Sequence, residues 1–286
     1  EASLIPAERR LDASGGLLAL ARAHGVDEIV VGADDRRGSL PMSDLLECRL
    51  AGIQVTDLAT FFEREAGKIK LGIVDPSWLV FSDGFNRRQW RQVTKRAFDM
   101  AASTILLLLA APLMLLTALA IWLESGFKGP IIYRQERVGE GNRNFTVLKF
   151  RSMRTDAEKD GKAVWAQKDD DRITTVGRVI RKLRIDELPQ VFNVLRGDMS
   201  FVGPRPERPC FVADLSKQIP YFGLRHCVKP GITGWAQLRY AYGASVEDSA
   251  EKLKFDLYYA KNHSLVFDLM ILMQTVEVVL FGKGAR

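Results

Sequence analysis

The chain of 286 residues has only three cysteines, Cys48, Cys210 and Cys227, widely separated and forming no CxxC pair. This excludes a disulfide framework and a thiol-built zinc site, and it fits a reducing, cytoplasmic setting. The three histidines, His24, His226 and His263, form no HxxxH spacing, so the usual zinc-hydrolase pattern is missing. The first strand-like run is followed by residues 32–38, which lack a GxGxxG phosphate loop. No basic stripe is interleaved with aromatics for base stacking, so nucleic acid is not an expected partner. Internal repeats, an initiating methionine and a signal-peptide pattern are absent too. The chain is therefore expected to continue a longer protein on its amino side.

A further absence is informative: no charged residue occurs between Ala101 and Leu123. A helix of about 23 residues at ~1.5 Å each is ~34 Å long, enough for a bilayer core of roughly 30 Å. Both flanks are basic, with Arg87, Arg88, Arg91, Lys95 and Arg96 before the run and Lys128, Arg134, Arg137 and Arg143 after it. Positive flanks stay on the cytoplasmic side, and here both ends carry them. Pro112 sits near the middle and removes a backbone donor, so a kinked, re-entrant hairpin over 97–123 is expected, dipping into one leaflet. A straight span and a buried soluble helix are the alternatives. The net charge of +6 and pI near 9.2 point to anionic partners, with lipid headgroups and phosphorylated substrates ahead of nucleic acid.

What is present divides the chain in two. Residues 14–80 alternate helical and β-prone stretches: a helix capped at Ser14, a strand within 25–31, a helix over 40–52 closed by Gly52, then a strand and another helix. Such alternation predicts a parallel α/β sheet, a partial Rossmann-like domain over 1–84. A linker over 75–85 leads to the second domain, 85–286. There 130–139 and 144–153 read as an antiparallel hairpin and 156–171 as a polar loop. Residues 174–197 read as helical, with Pro189 forcing a break or kink. Residues 252–281 read as helical, and Asp268, Gln274 and Glu277 favour a helix lying on the membrane surface.

Candidate chemistry sits in the second domain. Arg178, Arg181 and Lys182 share a helix face that runs into Asp186-Glu187, and adjacent helical side chains point about 100° apart. One carboxylate can then face a reacting phosphorus while the other takes a metal. Gly203-Pro204-Arg205-Pro206 is a stiff turn that aims one guanidinium, a planar fork suited to phosphate oxygens. Lys229 to Trp235, KPGITGW, is a second rigid element, readable also as a plain turn with a core tryptophan.

Taken in order, KRAFD (95–99), YRQERVG, LKFRSM, RIDELPQVFNVLRGDMSFVGPRP, KPGITGWAQ and YYAKNHSLVFDLMIL resemble the bacterial sugar transferase family, the monotopic phosphoglycosyl transferases. The resemblance covers residues 90–286 and implies an α+β monotopic membrane domain behind the α/β front fragment. It implies transfer of a hexose 1-phosphate, with glucose or galactose expected, from a UDP-sugar to undecaprenyl phosphate, as the first membrane step of exopolysaccharide synthesis. Asp186 is then the nucleophile and Glu187 the Mg²⁺ ligand, with Lys149, Arg181 and Arg205 as phosphate clamps. It further implies the cytoplasmic face of the inner membrane, contact with membrane lipid, and a homodimer as the expected assembly of long members. Direct transfer without a covalent step, and a non-catalytic nucleotide-binding scaffold of a glycan-assembly complex, stand as alternatives.

Overall fold

The computed structural model describes residues 9–12, 14–32, 40–72, 89–157, 171–240 and 245–281, with Pro6, Gly84 and Gly243 besides. The chain forms two compact units, Glu1–Asp75 and Pro76–Arg286.

In the first unit α1 (Leu17–Ala23), β1 (Glu28–Val31), α2 (Met42–Leu50), β2 (Gln54–Asp57) and α3 (Leu58–Ala66) follow in turn. Strands β1 and β2 pair in parallel, from Glu28 opposite Gln54 to Val31 opposite Asp57, with α2 as the crossover that a parallel pair needs. Ala21, Cys48 and Ile53 form the buried centre. Helix α3 starts where the Asp57 carboxylate accepts the Thr60 amide at 3.0 Å. It ends at Gly67, whose φ of 59° suits a residue without Cβ. The cap expected at Ser14 is displaced: Gly16 precedes α1, and Ser14 bonds Asp12 instead, satisfying its hydroxyl locally. Among the described residues this unit carries two parallel strands; positions 33–39, and all of the 75–85 linker except Gly84, lie outside them.

The second unit opens with α4 (Gln89–Glu124). Then β3 (Ile132–Val138) and β4 (Asn144–Phe150) form the expected antiparallel hairpin. Most of the polar stretch 156–171 lies outside the described residues. Helix α5 (Thr175–Lys182) is capped by Thr174, whose hydroxyl accepts the Gly177 amide at 2.9 Å. A Cβ on Gly177 would fall 2.0 Å from the Ser152 carbonyl oxygen, so glycine is what lets α5 close on the exit of β4. The helical stretch expected over 174–197, with a break or kink at Pro189, is indeed broken, but the break begins before the proline. Leu183 ends α5, Arg184 takes φ 57°, and a 3-10 turn, Ile185–Glu187, follows. Pro189 then starts α6 (Gln190–Arg196) instead of kinking a longer helix, since its fixed φ suits a helix start.

Next come β5 (Ser200–Val202), α7 (Pro209–Gln218), β6 (Gly231–Thr233), α8 (Trp235–Arg239), α9 (Val246–Asn262) and α10 (Leu265–Phe281). Strands β5 and β6 pair in parallel, Ser200 opposite Gly231 and Val202 opposite Thr233, which sets the two rigid motifs side by side. Val147, Val194, Phe201, Val202, Trp235, Tyr259 and Ile271 build the core between them. Trp235 is thus a core side chain. The helix expected over 252–281 is two helices, parted at His263 and Ser264.

Helix α4 has 36 residues with Pro112 inside it, long and apolar enough to cross a bilayer. The hairpin expected from a break at Pro112 is here one continuous helix. Proline removes one donor and crowds one carbonyl, while Ala110, Ala111, Leu113 and Met114 around it are strong helix formers, and apolar membrane helices tolerate such a proline. Both ends of α4 are fixed to the same unit. At the start, Lys95 Nζ donates to Asp268 at 2.5 Å, to Tyr259 at 3.1 Å and to the Val202 carbonyl at 3.2 Å. Arg96 donates to the Val194 and Leu195 carbonyls at the end of α6, and Asp99 accepts from Ser200 and the Phe201 amide. At the far end Ile121 packs on Phe150 and Ile180, and Glu124 accepts the Val176 amide at 3.1 Å. Between these anchors Ile105, Leu108, Leu109, Leu115 and Leu116 are exposed.

Two expectations about charge are corrected by these contacts. Lys95 and Arg96, read as part of a basic collar, bond inward. Asp268, read as a surface charge, is 1 % exposed because Lys95 neutralises it from a distant element.

Candidate active site

Four elements bring the predicted residues together. Strand β4 supplies Lys149, α5 supplies Arg181, the 3-10 turn supplies Asp186 and Glu187, and the loop after β5 supplies Arg205. Glu187 is buried, and its Oε1 accepts from Lys149 Nζ at 2.9 Å and Arg205 Nη2 at 2.9 Å. Burial alone would raise its pKa, but Arg205 and Lys149 outweigh that and hold Glu187 well below the usual carboxylate range. Burial lowers the Lys149 pKa, against the pull of Glu187.

Asp186 is in the opposite condition. Its Oδ1 is buried and has no hydrogen-bond partner among the described residues. Burial, and then the neighbouring Glu187 charge, raise its pKa, while Lys149, Arg181 and Arg184 oppose the rise. The two carboxylates are therefore unequal: one is ion-paired and fixed, the other is under-solvated and basic. Arg181 reaches Asp186 electrostatically and makes no hydrogen bond to either carboxylate. Arg184, in its left-handed turn, acts on the same pair.

The arginine loop is held by its backbone. Gly203 donates to the Thr233 carbonyl and Gly231 donates to that of Pro204, at 2.9 and 3.0 Å. Arg225 donates to the Arg205 carbonyl at 2.9 Å, Arg137 to that of Pro206 at 3.0 Å, and the Val138 amide to that of Glu207 at 2.9 Å. Arg225 is itself paired with Asp256 at 2.7 Å, both buried, and burial lifts Asp256 to about 6 despite that partner. A Cβ on Gly203 would meet the Lys229 carbonyl oxygen at 2.3 Å, so the approach of the two motifs requires glycine there.

Arg137, Arg225 and Asp256 were not singled out from sequence as site residues. Arg225 and Asp256 lie on separate elements with no local pattern joining them, so no sequence signal marked them. Arg178 and Lys182 are not brought onto the carboxylates by any described hydrogen bond or ion pair. Pro112 lies in α4, outside this cluster.

Chemically, cations surround two carboxylates, an environment suited to a polyanionic substrate. No cluster of three or more His, Cys, Asp or Glu side chains stands among the described residues. Mg²⁺ commonly uses only one or two carboxylates and completes its shell with water and substrate phosphate. The orphaned Asp186 Oδ1, and a Glu187 Oε2 that accepts no hydrogen bond among the described residues, fit that donor set.

The sequence pattern of the family described as Bacterial sugar transferase matches residues 90–282, a stretch that contains every one of these side chains. The chain belongs to the bacterial sugar transferase family. It is 45% identical over 242 residues to a UDP-N-acetylgalactosamine-undecaprenyl-phosphate N-acetylgalactosaminephosphotransferase of Aeromonas hydrophila, covering 85% of this chain and 56% of that protein. It is also 45% identical over 202 residues to an undecaprenyl-phosphate glucose phosphotransferase of Komagataeibacter xylinus, 69% of this chain and 38% of that one. A UDP-glucose:undecaprenyl-phosphate glucose-1-phosphate transferase of Caulobacter vibrioides is 46% identical over 194 residues, 67% of this chain and 71% of that protein. The chain thus spans about half, or less, of the first two relatives.

Proposed function

We infer that this bacterial sugar transferase moves a hexose 1-phosphate from a UDP-sugar to undecaprenyl phosphate and releases UMP. The observation that carries the reading is the buried, unpartnered Asp186 oxygen among cations, beside a carboxylate already committed to Lys149 and Arg205. The relatives' names, which carry undecaprenyl phosphate together with glucose or N-acetylgalactosamine, support it.

Asp186 forms a bond to the phosphorus that bears the sugar while the bond from that phosphorus to UMP breaks, and UMP leaves with the electron pair. A phosphate oxygen of the lipid then bonds to the same phosphorus, and the bond to Asp186 breaks, restoring the carboxylate. Splitting an anion-on-anion displacement in two makes each half a single substitution at one phosphorus. Lys149, Arg181 and Arg205 neutralise and orient the phosphates. Glu187 would hold Mg²⁺, which when bound supplies charge neutralisation to the diphosphate.

Helix α4 lies in one leaflet with both ends held by the catalytic unit, which rests on the cytoplasmic face of the inner membrane. Support for this comes from the anchors at Lys95 and Glu124, both made to the same unit. The donor sugar is glucose, galactose or an N-acetylated relative, and a panel of UDP-sugars assayed for UMP resolves it.

The central test uses donor labelled in the sugar-linked phosphate. Wild type is expected to release UMP and carry label on protein before acceptor is added, and Asp186→Asn to do neither. UMP release with no protein-bound label removes the covalent step; no UMP from any donor removes the enzymatic reading.

A further inference from the structure

At the carboxyl end of α4 lies a cavity of about 530 Å³, lined by Ile121, Glu124, Lys128, Arg151, Arg154 and Asp156 among others. None of these side chains belongs to the cluster around Asp186. Arg151 is only 8 % exposed, yet its Nη1 is buried with no hydrogen-bond partner among the described residues. A buried guanidinium nitrogen left without a partner is costly, and an anion in the cavity would satisfy it. Gly129, at φ +81°, leaves the space: a Cβ there would fall 2.5 Å from Arg151 Nη1. The two acidic side chains in the lining are already engaged. Glu124 accepts the Val176 amide, and Asp156 pairs with Arg154 at 3.7 Å. Lys128 is exposed at the mouth and makes no side-chain hydrogen bond or ion pair among the described residues.

Position completes the case. Trp122 and Phe127 are exposed and stand edge to face at 4.6 Å where α4 ends, and tryptophan is enriched at the lipid–water boundary. On the protein side, Arg151 extends the β4 ladder, its amide donating to the Ile131 carbonyl at 2.8 Å, two residues beyond Lys149. Two strand residues span about 7 Å. The pocket's Arg151 therefore lies two strand residues from the lysine that holds Glu187, at the end of the apolar helix.

We propose that this pocket holds the phosphate monoester of the polyprenyl acceptor, with Arg151 and Lys128 as its ligands, and waits there for the second half of the transfer. The proposal rests on the reading of the chain as a lipid-phosphate transferase, and it adds the place where the acceptor binds. The donor phosphates occupy the Asp186 cluster, so donor and acceptor use separate cations.

The test measures undecaprenyl phosphate binding to full-length protein in nanodiscs of neutral phosphatidylcholine, and transfer kinetics in the same discs. Lys128→Gln perturbs only an exposed side chain, and Arg151→Lys keeps the charge while losing the fork. Each is expected to weaken acceptor binding and raise the acceptor KM about tenfold or more, the scale of one charge-assisted hydrogen bond, with the UDP-sugar KM unchanged. An unchanged acceptor affinity in both variants overturns the proposal. So does equal competition by phosphatidylglycerol, which makes the pocket a general headgroup site, or by inorganic phosphate at similar concentration, which makes it a free-anion site. If wild type transfers nothing, the functional reading fails, while the binding measurement still decides the pocket.

Discussion

Replacing Lys149 by methionine keeps the aliphatic stem and removes only the ammonium. In the native site this group donates to Glu187 at 2.9 Å and also lowers the Asp186 pKa through space. Its loss leaves Glu187 with Arg205 alone and takes from Asp186 one of the charges that keep it ionised. A hydrogen bond to a charged group contributes about 1.5–3 kcal/mol, and about 1.4 kcal/mol is a factor of ten. Lys149→Met is therefore expected to lower kcat/KM for UMP release roughly 10- to 150-fold at neutral pH. The sign of the pH effect is fixed. On the proposed mechanism Asp186 attacks as the carboxylate, so a higher pKa moves the acidic limb of the kcat/KM profile upward, and activity recovers as pH rises. Lys149→Arg restores the charge and should return the limb toward its native position. The assay is UMP release from pH 5 to 9 with the identified donor. An acidic limb that stays in place while activity falls would refute the electrostatic role and leave Lys149 as a binding group only.

Arg225→Met removes the Nη2 that serves both Asp256 and the Arg205 carbonyl and strands Asp256 in the core, so stability should fall by about 3–5 kcal/mol, read as a lower midpoint in denaturant. Donor KM should rise as the Arg205 loop loosens. Lys95→Met strands Asp268 in the core; such broken buried pairs cost about 3–5 kcal/mol, visible as a lower Tm in detergent, and Lys95→Met with Asp268→Leu should recover most of it. Pro112→Ala is expected to leave both ends of α4 on one side of the membrane in cysteine-accessibility mapping, because the anchors at Lys95 and Glu124 fix them independently of the proline.

Local chemistry was the legible part of this chain. The β3–β4 hairpin, the two rigid turns and the Asp186-Glu187 pair follow from residues close in sequence, where turn and strand preferences operate. Lys149, Arg181 and Arg205 were reached through motif resemblance, and the fold sets Lys149 and Arg205 on Glu187 and Arg181 within electrostatic reach of Asp186. Misread features depended on distant partners. Asp268 looked like a surface charge because its neutralising lysine is 173 residues away. Arg225 and Asp256 meet only after the 3-10 turn Phe222–Cys227 and α9 have packed. Pro112 does not stop α4, because its local penalty is outweighed by the strong helix formers around it. The stop that does occur, at Arg184, has no glycine to announce it.

The Val202 carbonyl receives both the Lys95 ammonium from α4 and the Tyr259 hydroxyl, and the next residue, Gly203, begins the loop that aims Arg205. A helix about 54 Å long is thereby held three residues before Arg205. Asp99 on the same helix also accepts from Ser200 and the Phe201 amide, so any shift of α4 enters β5 at several points and passes from there to the Arg205 loop.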